Sequence, residues 1–171
     1  MRKKELYNFL VFSFLVLMLT ACGYEPSSHV VKKTFDDNIY VEVKVDRAEP
    51  ENAPFVKDEI NRLVYTRFKG RVTSKEQAGS SILISYTGTT FTPLAYENGY
   101  VSRYRVNVRV KFDMMTKQGR LVKNIVTVVE SDIQAGSVDS SVYKTEAIRI
   151  GLEKALNEFM AYVSAYSVSS K

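Results

Sequence analysis

Tyr100-Val101-Ser102-Arg103-Tyr104-Arg105-Val106-Asn107-Val108-Arg109-Val110-Lys111-Phe112-Asp113-Met114 alternates along nearly its whole length. Tyr104, Val106, Val108, Val110, Phe112 and Met114 fall on one side. Arg103, Arg105, Asn107, Arg109, Lys111 and Asp113 fall on the other. A period of two places apolar side chains on one face of a pleated strand and charged ones on the opposite face. The segment before it, from about Ser81 to Tyr96, is rich in β-branched and aromatic residues. Glu97-Asn98-Gly99 separates the two, so together they predict a long hairpin.

The hairpin's register decides what the alternating residues meet. A two-residue loop, Asn98-Gly99, would pair Val110 with Thr87 and Phe112 with Ser85, and would send Ile84 and Tyr86 to the basic face. A three-residue loop, Glu97 to Gly99, with Gly99 left-handed in a bulge, pairs Tyr96 with Tyr100, Tyr86 with Val110, Ile84 with Phe112 and Ile82 with Met114. The core face of the lower hairpin is then apolar throughout, and this register is preferred for that consistency. A bulge near Pro93 would make the same correction. In the preferred register Thr87, Thr89 and Phe91 join Arg103, Arg105, Arg109 and Lys111 on the exposed face, with Phe91 opposite Arg105. The result is a basic stripe carrying one aromatic, able to bind phosphate groups or an acidic protein surface, or else simply solvated.

Working outward, Ile39, Val41, Val43 and Val45 alternate with Tyr40, Glu42, Lys44 and Asp46, which predicts a first strand. Pro54 suits the first turn of a helix with Asn52 as a cap. Val56, Ile60, Leu63, Val64 and Phe68 form its apolar stripe, and Gly70 ends it. A turn at Thr116-Lys117-Gln118-Gly119 leads to a strand from Leu121 to Glu130. Ser131 to Ser140 reads as a polar loop. Ser140 or Ser141 caps a long helix to about Ala165, striped by Ile148, Leu152, Ala155, Leu156, Phe159, Met160 and Val163. The order is β-α-β-β-β-α. It predicts an α+β fold: a four-stranded, mostly antiparallel but mixed sheet, with two helices on one face and the other face open.

The 171 residues include 24 Lys and Arg against 19 Asp and Glu, a formal charge of +5. That balance is too weak to argue for nucleic acid. The eleven tyrosines, with no tryptophan, suit strands, core edges and interfaces alike. Catalytic chemistry is sparse. His29 is the only histidine and falls in a polar stretch before the first strand. Asp36 and Asp37 are adjacent rather than convergent, Ser80-Ser81 reads as strand entry, and there is no metal-ligand spacing, phosphate loop or nucleophile elbow. The expectation is a protein that is not an enzyme and needs no cofactor or metal.

At the N-terminus, Arg2, Lys3 and Lys4 precede an apolar run from Leu10 to Leu19. Leu19-Thr20-Ala21-Cys22 follows, containing the only cysteine. A basic start, a short apolar run and small residues before a cut site mark a secretory signal. The stretch resembles a bacterial lipoprotein signal with its lipobox. That resemblance implies cleavage of residues 1–21, a diacylglycerol thioether on Cys22 and an acylated, palmitate-type amine. The charge of what remains would be about +3. Residues 22–38 would be a lipidated tether, reaching at most roughly 50 Å, and 39–171 a single domain. Gly23 in place of an aspartate after the cysteine favours the outer membrane.

Cys22-Gly23-Tyr24-Glu25-Pro26 also resembles the start of the LPS-assembly lipoproteins of the LptE family, whose mature chains often open Cys-Gly-aromatic. Glu146-Ala147-Ile148, followed by a Leu/Ala helix, resembles that family's last helix. The resemblance implies a non-enzymatic subunit of the outer-membrane LPS translocon. It would sit in the lumen of a large β-barrel partner, assist its assembly and contact LPS. Two alternatives stand beside it: an outer-membrane lipoprotein that activates a periplasmic peptidoglycan synthase, and an auxiliary lipoprotein of a lipid-transporting ABC system. The short tether favours a partner at the membrane itself.

Overall fold

The computed structural model describes residues 34–46, 53–68, 72–132 and 140–169. Residues 1–33, with Cys22 and His29, lie outside them. So do Asn52, Gly70, the 133–139 part of the polar loop and the Phe68 side chain.

The elements follow the expected order. They are β1 (Ile39–Val45), α1 (Ala53–Phe68), a short 3-10 turn (Lys75–Gln77), β2 (Ser80–Glu97), β3 (Tyr100–Thr116), β4 (Gly119–Asp132) and α2 (Ser140–Ser169). The strands lie in the order β1-β2-β3-β4. β1 runs parallel to β2, and the other two pairings are antiparallel. β1 reaches β2 through a helix, which is what a parallel neighbour requires.

Both helices cover one face. Val56, Ile60, Leu63 and Val64 of α1 are buried, as are Ala147, Ile148, Leu152, Ala155, Leu156, Phe159 and Val163 of α2. They meet Ile82, Ile84 and Tyr86 of β2, Val106 to Met114 at alternate positions of β3, and Ile125 and Val129 of β4. Phe112 and Phe159 stack with ring centroids 4.2 Å apart. Gly151 lets α2 approach the sheet closely: its carbonyl accepts a hydrogen bond from Thr127 Oγ1 at 2.8 Å. A Cβ added there would come within 2.9 Å of Val108 Cβ.

The lower hairpin has the expected pairs, Tyr86 with Val110, Ile84 with Phe112 and Ile82 with Met114. The device that produces them differs from the one expected. The loop is the two-residue Asn98-Gly99, closed by Glu97 opposite Tyr100. Both loop residues have positive φ, 52° at Asn98 and 83° at Gly99, as the favoured hairpin turn requires. The one-residue correction is made lower down, where Thr87 is the extra residue between the Tyr86–Val110 and Gly88–Arg109 pairs. Gly88, at φ 115°, supplies the backbone freedom for that bulge. Near Pro93 there is also an irregularity, but Leu94 and Ser102 are both extra, so the register is unchanged beyond it.

A second correction concerns the tether. Thr34 and Phe35 are fully buried, and Phe35 belongs to the core cluster. Asp36 is tied to Ser80: its N–H donates to Ser80 Oγ at 3.0 Å, and that hydroxyl donates to Asp36 Oδ2 at 2.9 Å. Lys117 N–H donates to the Thr34 carbonyl at 3.2 Å. The folded unit therefore begins at or before Thr34, not at Ile39. The chain enters at the β3–β4 turn, the end of the sheet opposite the Asn98-Gly99 tip.

Candidate functional site

Among the described residues, one face of the sheet is covered by the two helices and the other is not. Alternation along β3 sends Arg103, Arg105, Asn107, Arg109, Lys111 and Asp113 there, between the buried Ser102, Val106, Val108, Val110, Phe112 and Met114. β4 contributes Arg120, Val122, Asn124, Val126, Val128, Glu130 and Asp132, each opposite a β3 residue of the same face. β2 contributes Leu83 and Ser85 below the bulge and Thr90 and Thr92 above it, by the same pairing rule.

Phe91 is not on this face. The Thr87 bulge reverses the parity of β2, so Phe91 pairs with Val106 and not Arg105. It packs against the core, with its ring edge-to-face to Tyr104 at 6.2 Å and Lys144 Nζ of α2 5.6 Å from its centre. Thr89 turns inward as well, its hydroxyl 2.5 Å from the buried Tyr86 hydroxyl. Thr87 is exposed beside the stripe, donating to the Arg109 carbonyl at 3.3 Å.

The four cations share one face but differ in electrostatic setting. Arg103 Nε donates to Asp132 at 2.5 Å, and this carboxylate raises the arginine's pKa above its ordinary value. Arg105 lies 3.6 Å from Glu130. At the other end of the strand, Arg120 grips Asp113 with two hydrogen bonds of 2.9 and 2.6 Å, holding that carboxyl below the usual range. Between these neutralised ends stand Arg109 and Lys111, and among the described residues neither is in an ion pair. Arg109 Nη1 donates to Thr90 Oγ1 at 2.8 Å, leaving its other donors available. Their β4 neighbours are Val126 and Asn124, with Val122 and Val128 flanking on the same face. All three valines are exposed. The centre of the open face thus carries two cations that are in no ion pair among the described residues, beside an apolar strip.

Sequence reasoning missed the two acids that neutralise the upper stripe. The signal was present: once Thr116 and Gly119 close a two-residue turn, counting back sets Glu130 opposite Arg105 and Asp132 opposite Arg103. A groove of about 360 Å³ opens at the foot of the face, lined by Tyr40, Glu42, Lys75, Ser81, Leu83 and Met115 among others. At the opposite end the hairpin tip exposes Leu94, Tyr96 and Tyr100. Among the described residues, no group of three or more His, Cys, Asp or Glu side chains is placed to hold a metal ion.

No protein-family model matches the chain, and no curated protein matches it. Solved structures do. Rare lipoprotein B from Shewanella oneidensis superposes with a TM-score of 0.54 at 14% identity, over 76% of this chain and 97% of that one. A candidate lipoprotein from Caulobacter crescentus superposes with a TM-score of 0.52 at 8% identity, over 85% of this chain and 97% of that one. At such identities the likeness establishes a shared fold.

Proposed function

We propose that this protein is a lipid-anchored, non-enzymatic outer-membrane lipoprotein. On this reading it docks with a large β-barrel LPS translocon and assists the passage or insertion of LPS. The lipobox ending at Cys22 supports the anchor, the Cys22-Gly23-Tyr24 start supports the LptE-type reading, and the fold shared with two bacterial lipoproteins is compatible with both. The observation that carries the ligand assignment is the centre of the open face. LPS joins phosphates to acyl chains. Arg109 and Lys111 offer charge-assisted hydrogen bonds to phosphate, and Val122, Val126 and Val128 offer apolar ground beside them.

The ion-paired ends of the stripe sharpen the test. Arg109→Glu with Lys111→Glu should weaken LPS capture strongly, because among the described residues neither cation is in an ion pair. Arg103→Glu with Arg105→Glu should weaken it less, because those arginines already serve Asp132 and Glu130. Copurification of the barrel, measured on the same proteins, separates ligand from docking. Loss of LPS with the barrel retained assigns the face to ligand, and loss of both assigns it to the barrel wall. Wild-type capture and copurification in both double mutants would defeat the reading. Binding should also weaken as salt is raised.

A further inference from the structure

The sheet has two outer edges, and they are treated differently. At the β1 edge, Ile39 forms a parallel bridge with Val72, and Thr73 N–H donates to the Ile39 carbonyl at 3.0 Å. β1 is also short, at seven residues. β4 is fourteen residues long and pairs with β3 without a single register shift. Its own outer side has no backbone partner among the described residues.

Which groups face that side follows from the turn. Thr116 and Gly119 close a two-residue hairpin, and such closing residues bond to each other across the ladder. Alternation then directs the N–H and C=O of the even-numbered residues, Val122, Asn124, Val126, Val128 and Glu130, away from β3. Lys154 Nζ of α2 donates to the Val128 carbonyl at 3.2 Å, which agrees with this orientation. Among the described residues, that exposed lysine is the side chain that bonds to the edge backbone. Lys123 does not guard it, since its ammonium lies 5.0 Å from the Tyr162 ring centre on the helix side. A long, valine-rich edge without proline or bulge is a template for another strand.

The charges say which strand fits. β4 begins basic, at Arg120, and ends acidic, at Glu130 and Asp132. A parallel copy would set like charges together. An antiparallel copy sets them in opposition, and one register opposes the end charges while facing Val122 with Val128 and Leu121 with Val129. We infer that β4 pairs antiparallel with β4 of a second copy about a twofold axis at Ile125, joining two sheets into one of eight strands. In that register Arg120 faces Glu130 of the second copy, Val122 faces Val128 and Asn124 faces Val126. Leu121 faces Val129 on the helix side. The pairing forms about a dozen backbone hydrogen bonds and removes both exposed edges. Arg120 and Glu130 keep alternatives in the monomer, Asp113 and Arg105, so the free edge remains soluble.

The test uses the full chain in detergent. In the proposed register the two copies of residue 126 are diagonal neighbours, about 7–8 Å apart. Val126→Cys should therefore cross-link to itself with a short bismaleimide, and Val142→Cys, equally exposed but on α2, should not. The unsubstituted chain serves as the blank for Cys22. Arg120→Glu should reduce the cross-linked dimer by about tenfold, and adding Glu130→Arg should restore it. Light scattering should give a dimer mass for the wild type and a monomer for Arg120→Glu. A monomer at every concentration would overturn the inference, as would equal cross-linking from Val142→Cys. So would cross-linking of Val126→Cys in native membranes only to a protein of different mass.

Discussion

Val108 and Arg109 are adjacent on one strand and belong to different environments. Val108 is fully buried beneath α2, close against Gly151, while Arg109 stands on the uncovered face with one hydrogen bond to Thr90. The same contrast runs along the whole hairpin. On the helix side, side chains are fixed by contact on all sides, and removing atoms leaves a void. On the open side they are fixed by a few polar partners, and removing one admits water. Stability should therefore be concentrated on one face of the sheet and recognition on the other, although both are read from alternate residues of a single segment.

The most severe way to break this contrast is on the covered side. Phe159→Ala deletes a fully buried ring stacked on Phe112 and should cost about 3–5 kcal/mol. Chemical denaturation would read this, and a midpoint unchanged from the wild type would show that α2 is not packed on the sheet. Gly151→Ala tests the opposite fault, since an added methyl would collide with Val108. It should cost about 1–3 kcal/mol by overpacking, with Val108→Ala in the same chain recovering part of the loss.

The smallest effect belongs to the open side. Asp113→Asn removes the clasp between the partly shielded Asp113 and the exposed Arg120, and should change stability least of the three. The Asp113 carboxyl is held below its usual range in the folded state by that guanidinium. A depressed carboxyl stabilises the fold above its unfolded pKa, about 3.9, and loses that contribution as pH falls through the folded value. The difference between wild type and Asp113→Asn should thus be constant from pH 8 to 5 and vanish in stronger acid. A difference that grows on acidification would contradict the assignment of the clasp.

What could be read from the chain follows the same division. The covered face was legible because burial imposes a period: alternation in β1 and β3 and the 3.6-residue stripes of α1 and α2 return the strands, the helices and the lower hairpin pairs. The loop that sets the hairpin was misread, because a one-residue offset can be absorbed anywhere along a strand. The choice between Gly99 and the Thr87-Gly88 bulge depends on backbone torsions that side-chain pattern does not report. Phe91 was misplaced as a direct consequence. The neutralised end of the stripe was missed because exposed charges carry no period of their own and acquire partners only after two strands are registered. Phe35 was assigned to a tether because an isolated aromatic among polar residues looks like linker, yet it is fully buried in the core cluster.

The bulge at Thr87 sets a reading frame for β2. Along β2, residues 82, 84 and 86 read inward in the even frame and residues 89 and 91 in the odd one. A regular ladder with Thr87 kept and paired would restore a single frame and leave every residue type in place. It would nevertheless exchange the faces of the whole upper strand, turning Thr90 and Thr92 toward the helix and Phe91 toward Arg105. One unpaired residue thus acts as a frameshift written into the fold, deciding for the ten residues beyond it which surface each belongs to.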